Sequence, residues 1–218
     1  MLLSFDIAQD WICEHDDWHT HEHLPERLSI PGFLRGSRWT ALREGPRYLV
    51  IYEVAQVATL TSAPYLERLN NPSPWTSKMM PRYRAMTRGL CSVTGSSGLG
   101  VGGVCMMLRF KPAEGADASL RKWLCDEELP RLSAAPGLGS GHLLESAAAP
   151  IMTNEQRIRG ADAGVEWALV LTGYSRDSVA QLADARSLEQ NLAQYGVVES
   201  QSEMYALDYS LSAAEIDT

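Results

Sequence analysis

One ungapped register relates the two ends of this chain. Trp18, Glu22, Leu24, Pro25, Pro31, Gly32 and Gly36 recur as Trp123, Glu127, Leu129, Pro130, Pro136, Gly137 and Gly141, each 105 residues further on, and Leu3 and Phe5 recur at that offset as Leu108 and Phe110. A register that holds over a strand, a helix and a turn is hard to obtain by chance, so the chain reads as a tandem duplication. The stretch GSSGLGVGG, residues 95 to 103, reads as a flexible Gly/Ser linker. It divides the chain into an N-terminal half (1–95), a linker (96–103) and a diverged C-terminal half (104–218). The stretch also contains a formal GxGxxG at Gly98, Gly100 and Gly103, but the strand-like run VCMMLRF follows where a dinucleotide fingerprint requires a helix.

Within each half the patterns predict strand, helix, two strands, helix, strand, the ferredoxin-like βαββαβ order. Residues 2–7 alternate Leu3, Phe5 and Ile7 against Ser4 and Asp6, as a half-buried strand does. Residues 13–28 read as a helix with Trp18, Leu24 and Leu28 in one arc and His21 inside it. His15, His19, His23 and Arg27 form an i, i+4 stripe on the adjacent flank, and Pro25, which has no N–H for the His21 carbonyl, is expected to kink the helix. Residues 33–42 and 47–54 read as paired strands in which Tyr48, Val50, Tyr52 and Val54 share one face and Leu49 and Ile51 the other. Both faces are apolar, as expected when helices cover one and a second sheet the other. A helix over 57–69, a second opened by Ser73 and Pro74, and a strand over 88–94 complete the first half. The second half repeats this with an insertion near 146–164. Two such halves can bury their bare sheet faces against each other, which predicts an α+β fold of two tandem ferredoxin-like halves forming an intramolecular pseudo-dimer. Whether two such pseudo-dimers associate into a homodimer is left open.

The net charge of −8 argues against a nucleic-acid partner, which clustered Lys and Arg would have to hold. No segment approaches the ~20 apolar residues of a membrane span. The start MLLSFDIAQDW lacks a basic leader and its apolar run is broken at Asp6, and the four scattered cysteines read as reduced thiols, so a cytoplasmic setting and a small-molecule substrate are expected.

The stretch EHDDWHTHEHLPERL holds four of the five histidines. An imidazole titrates near neutrality and can both take and return a proton, so His23 is the leading acid/base candidate, against the plainer reading of an exposed flank histidine. Spacing alone also allows His15, His19 and His23 to ligate one metal ion, against a solvated polar face. Arg38, on a strand beside aromatics, suits an oxygen anion. Trp18, Tyr52, Tyr65 and Trp75 are candidates for the substrate-binding wall or for core. The repeat keeps scaffold positions but turns His23 into Glu128, Arg27 into Leu132 and Arg38 into Leu143, which points to one competent site, in the first half.

The segments WHTHEHLPERLSIPGFLRGSRW, RYLVIYEV and APYLERLNNPSPWTSKMMPRYRAMTRGL resemble the EthD-like branch of the dimeric α+β barrel superfamily over residues 1–95, and the second half resembles it in architecture. The resemblance implies an intramolecular dimeric α+β barrel acting without a cofactor on small cyclic or aromatic oxygenated molecules. It carries an acid/base role onto His23 with neighbouring Glu22, and ligand contacts onto Arg38 and Tyr52. The expected activity is a lyase or isomerase, with dehydratase- or decarboxylase-like chemistry, in which His23 moves the proton, Glu22 orients it and Arg38 with Tyr52 holds negative charge. Three rival readings are a cofactor-independent oxygenase, a non-catalytic small-molecule binder and a histidine-ligated metalloenzyme.

Overall fold

The computed structural model describes residues 1–148 and 151–216. The first half contributes β1 (Leu2–Ile7), α1 (Ile12–Trp18), a π-helical turn (His19–His23), α2 (Leu24–Leu28), β2 (Phe33–Ala41), β3 (Tyr48–Val54), α3 (Ala63–Asn70), α4 (Pro74–Met79) and β4 (Tyr83–Gly98). The second contributes β5 (Val104–Pro112), α5 (Asp117–Trp123), a second π-helical turn (Leu124–Glu128), α6 (Leu129–Ser133), β6 (Leu138–Ala148), α7 (Asn154–Arg159), the short β7 (Ala163–Gly164), β8 (Trp167–Gly173), α8 (Arg176–Ala183), α9 (Arg186–Gln194) and β9 (Val197–Ser212). No helix among the described residues is long and apolar enough to cross a membrane.

Eight strands close into an antiparallel barrel in the order β1-β3-β2-β9-β5-β8-β6-β4, with β4 returning to β1, and β7 lies parallel to β4 at its margin. Two long strands join the halves. β4 pairs with β1 from Tyr83 to Gly89 and then with β6 from Leu90 to Gly98. In the same way, β9 pairs with β5 over Val197–Ala206 and with β2 over Tyr205–Ser212. The Gly/Ser stretch expected as a free linker is therefore strand through Gly98, with Ser96 opposite His142 and Ser97 opposite Gly141. Gly is a poor strand former, and here pairing with the β6 edge overrides that local preference.

The pleat sorts side chains into three layers. Leu2, Trp39, Leu49, Cys105, Met107, Val170 and Tyr205 fill the barrel interior. Phe5, Tyr48, Val50 and Tyr52 face outward onto Trp18, Leu24 and Leu28 of the first helix, and Met106, Leu108, Leu169 and Leu171 face Leu124, Leu129 and Leu132 of its counterpart. Gly36 and Gly141 permit these close approaches: a Cβ at Gly36 would lie 2.4 Å from Leu24 Cδ2, and one at Gly141 would lie 2.8 Å from Leu129 Cδ2.

Pro25 does not kink the helix in the expected way. The π-helical turn absorbs its missing donor, because the Leu24 N–H reaches back to the His19 carbonyl and so spans five residues instead of four. The same turn precedes Pro130, where the Leu129 N–H reaches the Leu124 carbonyl. A wider turn gives each residue a smaller angular step, so side chains four apart stay in line. His15, His19, His23 and Arg27 are consequently all buried against the sheet, whereas His21, expected inside the apolar arc, is exposed.

Candidate functional site

A cavity lies between the first helix and the outward face of β1, β3 and β4. His19, His23 and Arg27 enter it from the helix, Tyr52 from β3, Tyr65 from α3, and Tyr83 and Arg88 from β4. Thr153, Glu155 and Arg159 close it from the second half, on the segment that carries α7. Leu3, Phe5, Val50, Leu69 and Met86 make the rest of its wall apolar. Its empty volume is about 490 Å³ with the solvent at its open rim included, and the space open to the centre of a water-sized sphere is about 40 Å³.

The helix supplies a column of rings. His15 and His19 stack with centroids 5.4 Å apart, His19 and His23 follow at 5.6 Å, and the Trp18 indole backs His23 at 4.4 Å. At the outer end His15 Nδ1 meets Asp16 Oδ1 at 3.1 Å, and the Tyr48 hydroxyl donates to that carboxylate oxygen at 2.8 Å. At the inner end His23 Nδ1 is buried with no hydrogen-bond partner. Burial, reinforced by the Arg27 guanidinium, holds the His23 imidazole well below its ordinary pKa, and burial with the neighbouring His15 and Arg38 does the same to His19. Both rings are therefore neutral at pH 7, and a neutral ring can accept a proton.

Arg27 is buried and pairs with Glu155 at 2.5 Å across the two halves. Burial opposes its charge, but Glu155, Tyr65 and Glu26 together outweigh that and hold the guanidinium protonated. Its Cζ lies 5.9 Å from the Tyr65 ring centroid. Arg159 pairs with Asp162 at 2.6 Å and faces the Tyr83 ring at 5.9 Å. Arg88 donates from Nη2 to the Tyr65 hydroxyl at 3.3 Å. The Tyr52 hydroxyl is buried without a partner, and burial pushes its pKa well above that of an ordinary phenol, so it remains a donor. Buried polar atoms are almost always satisfied. Of the ten unpartnered buried side-chain atoms among the described residues, those of His23, Tyr52 and Arg88 belong to residues lining this one cavity, where a bound molecule can meet them.

Of the residues singled out from sequence, the cavity gathers His23, Tyr52 and Tyr65. Glu22 accepts instead from Ser73 Oγ (2.5 Å), Trp18 Nε1 (3.1 Å) and Thr76 Oγ1 (3.3 Å), which ties α4 to the helix and leaves it no bond to His23. Arg38 is held by Asp208 (2.7 Å), the Asp16 carbonyl (3.0 Å) and Thr20 (3.1 Å), outside the cavity lining. It reaches the site only through His19 Nδ1, at 3.5 Å. Trp18 stands behind His23, and Trp75 donates to Glu14 at 3.3 Å, neither lining the cavity. The three imidazoles proposed as metal ligands are stacked along the helix, with His15 Nδ1 already committed to Asp16. Among the described residues no group of three or more His, Cys, Asp and Glu side chains gathers as a metal site. His19 entered the sequence reading in the stripe and as a metal ligand, and Arg27 in the stripe and as a position the repeat changes, neither as a contact for substrate. Tyr83, Arg88, Glu155 and Arg159 were not singled out at all. For the last two the available signal was the insertion that the first half lacks.

No family model matches the chain, and no curated protein matches its sequence. Solved structures do match along nearly the whole length. A structure described as an anthrone oxidase-like protein superposes with a TM-score of 0.70 at 10% identity, covering 99% of this chain and 92% of its own. A putative monooxygenase from Fusobacterium nucleatum gives 0.62 at 8% identity, with coverages of 97% and 92%, and another from Lactobacillus acidophilus gives 0.60 at 9%, with 97% and 94%. The chain thus shares with these proteins its fold, an α+β architecture around an eight-stranded antiparallel barrel closed by one chain. The expectation of a lyase or isomerase is corrected by these matches: the proteins that share the barrel end to end are described as oxidase-like or as monooxygenases, and none of these three as a lyase or an isomerase.

Proposed function

We propose that the protein is an oxygenase acting on an electron-rich, phenol- or anthrone-like carbon acid in the cavity of its first half. The observation that supports this most is the neutral, buried His23 facing an apolar cavity beside the Tyr52 hydroxyl and the Arg27 guanidinium. His23 takes a proton from a carbon or hydroxyl next to the aromatic system, and the resulting oxyanion is held by Tyr52 and by the positive field of Arg27. The delocalised anion passes one electron to dioxygen, and the radical and superoxide join through a new C–O bond. The peroxide takes back the proton from His23. Loss of the remaining C–H proton then breaks the O–O bond and leaves a carbonyl and water. The balance is R₂CH₂ plus O₂ giving R₂C=O plus H₂O, with the substrate as the only reductant. An apolar wall suits this step, since dioxygen partitions into it and water does not.

Within the superfamily we read the chain as an EthD-like tandem duplication, supported by the shared 105-residue register and by a π-helical turn at the same place in both halves. In this reading residues 1–95 carry the chemistry and the second half supplies the cap. The test is oxygen uptake with anthrone and a panel of polycyclic phenols under ¹⁸O₂. The expected result is uptake above the uncatalysed rate, one dioxygen per carbonyl formed, and ¹⁸O in the product. No uptake above background across the panel contradicts the reading.

A further inference from the structure

One charge that lines the cavity has no carboxylate against it. Arg27 is matched by Glu155 at 2.5 Å and by Glu26 at 3.3 Å, and Arg159 by Asp162. His23 is neutral, Tyr52 is a protonated phenol, and burial pushes the amino group of Met1, which also lines the cavity, down to about 6, so none of them adds a full charge at pH 7. Arg88 remains. It is 6% exposed, lines the cavity, donates to the Tyr65 hydroxyl, and has a buried Nε with no partner. Of the three buried arginines among the described residues, Arg27 and Arg38 each meet a carboxylate and Arg88 meets none. A guanidinium cannot shed its proton to escape burial, and a buried cation without a counter-ion is strongly unfavourable.

We propose that the counter-ion is the ligand: the cavity is built for an aromatic molecule that arrives carrying one carboxylate, which pairs with Arg88 beside the Tyr65 hydroxyl. The donor set fits this group. Tyr65 takes one of the five guanidinium N–H bonds, which leaves Nε–H available for a planar carboxylate, and the phenol can turn its O–H from the weak acceptor Met1 Sδ (3.4 Å) to the same oxygen. The apolar wall of Leu3, Phe5, Leu69 and Met86 takes the ring system. This anion is fixed on the substrate before any chemistry and differs from the one His23 creates. The inference names the substrate class of the site proposed above and rests on that site, but not on the oxidation itself.

The experiment is calorimetric titration of the full chain with benzoate, 1-naphthoate and 9-anthracenecarboxylate, each against its neutral carboxamide, for the wild type and for Arg88→Met and Arg88→Lys. At least one acid is expected to bind about tenfold or more tightly than its amide, as one charge-assisted pair gives. R88M should bring that ratio to about one while leaving the Kd of the amide within about threefold, and R88K should restore part of the preference. The ligand-free R88M protein should keep or raise its Tm, because the variant removes an uncompensated buried charge. A wild type in which no acid outbinds its amide overturns the proposal, as does a preference that survives R88M. A Tm that falls by many degrees in R88M, with acid and amide weakened alike, also overturns it by making Arg88 a structural brace for Tyr65. Acid preference without oxygen uptake would sink the oxygenase reading alone. Oxidation of neutral substrates without acid preference would sink this inference alone.

Discussion

At the scale of single residues the chain concentrates cost in one place. His15, His19 and His23 are buried and held below their ordinary pKa, chiefly by desolvation. In the unfolded chain the same rings titrate near their ordinary values, about 6.5. Below that pH the unfolded state binds more protons than the folded one, so stability is intact above about pH 6.5 and falls as pH drops toward the folded values. Each ring that stays neutral contributes a slope of about 1.4 kcal/mol per pH unit. Urea unfolding at a series of pH values should show stability falling between about pH 6.5 and 5 with a slope of more than one proton, and His19→Phe should flatten it by about one. A curve flat over that interval would mean that the imidazoles are charged or hydrated in the folded state. The alignment of these residues was legible in their spacing of four, but their burial was not. Helical phase computed at one step per residue puts them on a flank and His21 in the core, and the wider turn reverses both.

At the scale of elements the decisive feature is that turn. It follows from a proline one residue into each α2-like segment, at Pro25 and Pro130, and it recurs in both halves at His19–His23 and Leu124–Glu128. Its sequence signal was the proline itself, read as a kink because an i→i+4 helix has no other answer to a missing donor. Strand-and-helix order, the Ser73 cap and the two faces of β3 were legible because each is a local matter of period or capping. The length of β4 was not, since Ser96, Ser97 and Gly98 become strand only through pairing with β6, a contact far away in sequence. The glycines beneath the helices give a paired prediction. Gly36→Ala would drive a methyl into the buried Leu24 and the Tyr52 ring, costing about 1–3 kcal/mol and displacing a cavity wall, so both stability and ligand binding should fall. Gly141→Ala meets Leu129 and Leu171 in the half without the cavity, and should cost a similar stability with binding unchanged. Chemical denaturation and titration of both variants check this. Equal losses of binding would place the ligand elsewhere.

At the scale of the whole molecule the two halves share more than a barrel. The second half closes the cavity of the first through Thr153, Glu155 and Arg159, on a segment that the first half does not possess. In the second half the positions equivalent to His23 and Arg27 are Glu128, which pairs with Arg131, and Leu132, which is core. The second half thus carries a buried ion-paired glutamate and a core leucine at these positions, and lends Thr153, Glu155 and Arg159 to the cavity beside the first helix. The substituted positions made the difference between the halves legible in sequence, and the proposal of one site in the first half rests on them. The cap was not legible, because an insertion shows that something has been added and gives no indication of where it folds back. The most direct measurement is the initial rate of oxygen uptake with an oxidised substrate for wild type, His23→Ala and His142→Ala, the last removing the one histidine of the second half. The account predicts a fall of about 10²–10⁴ for His23→Ala, the range for loss of a general base, and an unchanged rate for His142→Ala. Equal rates in wild type and His23→Ala would contradict it.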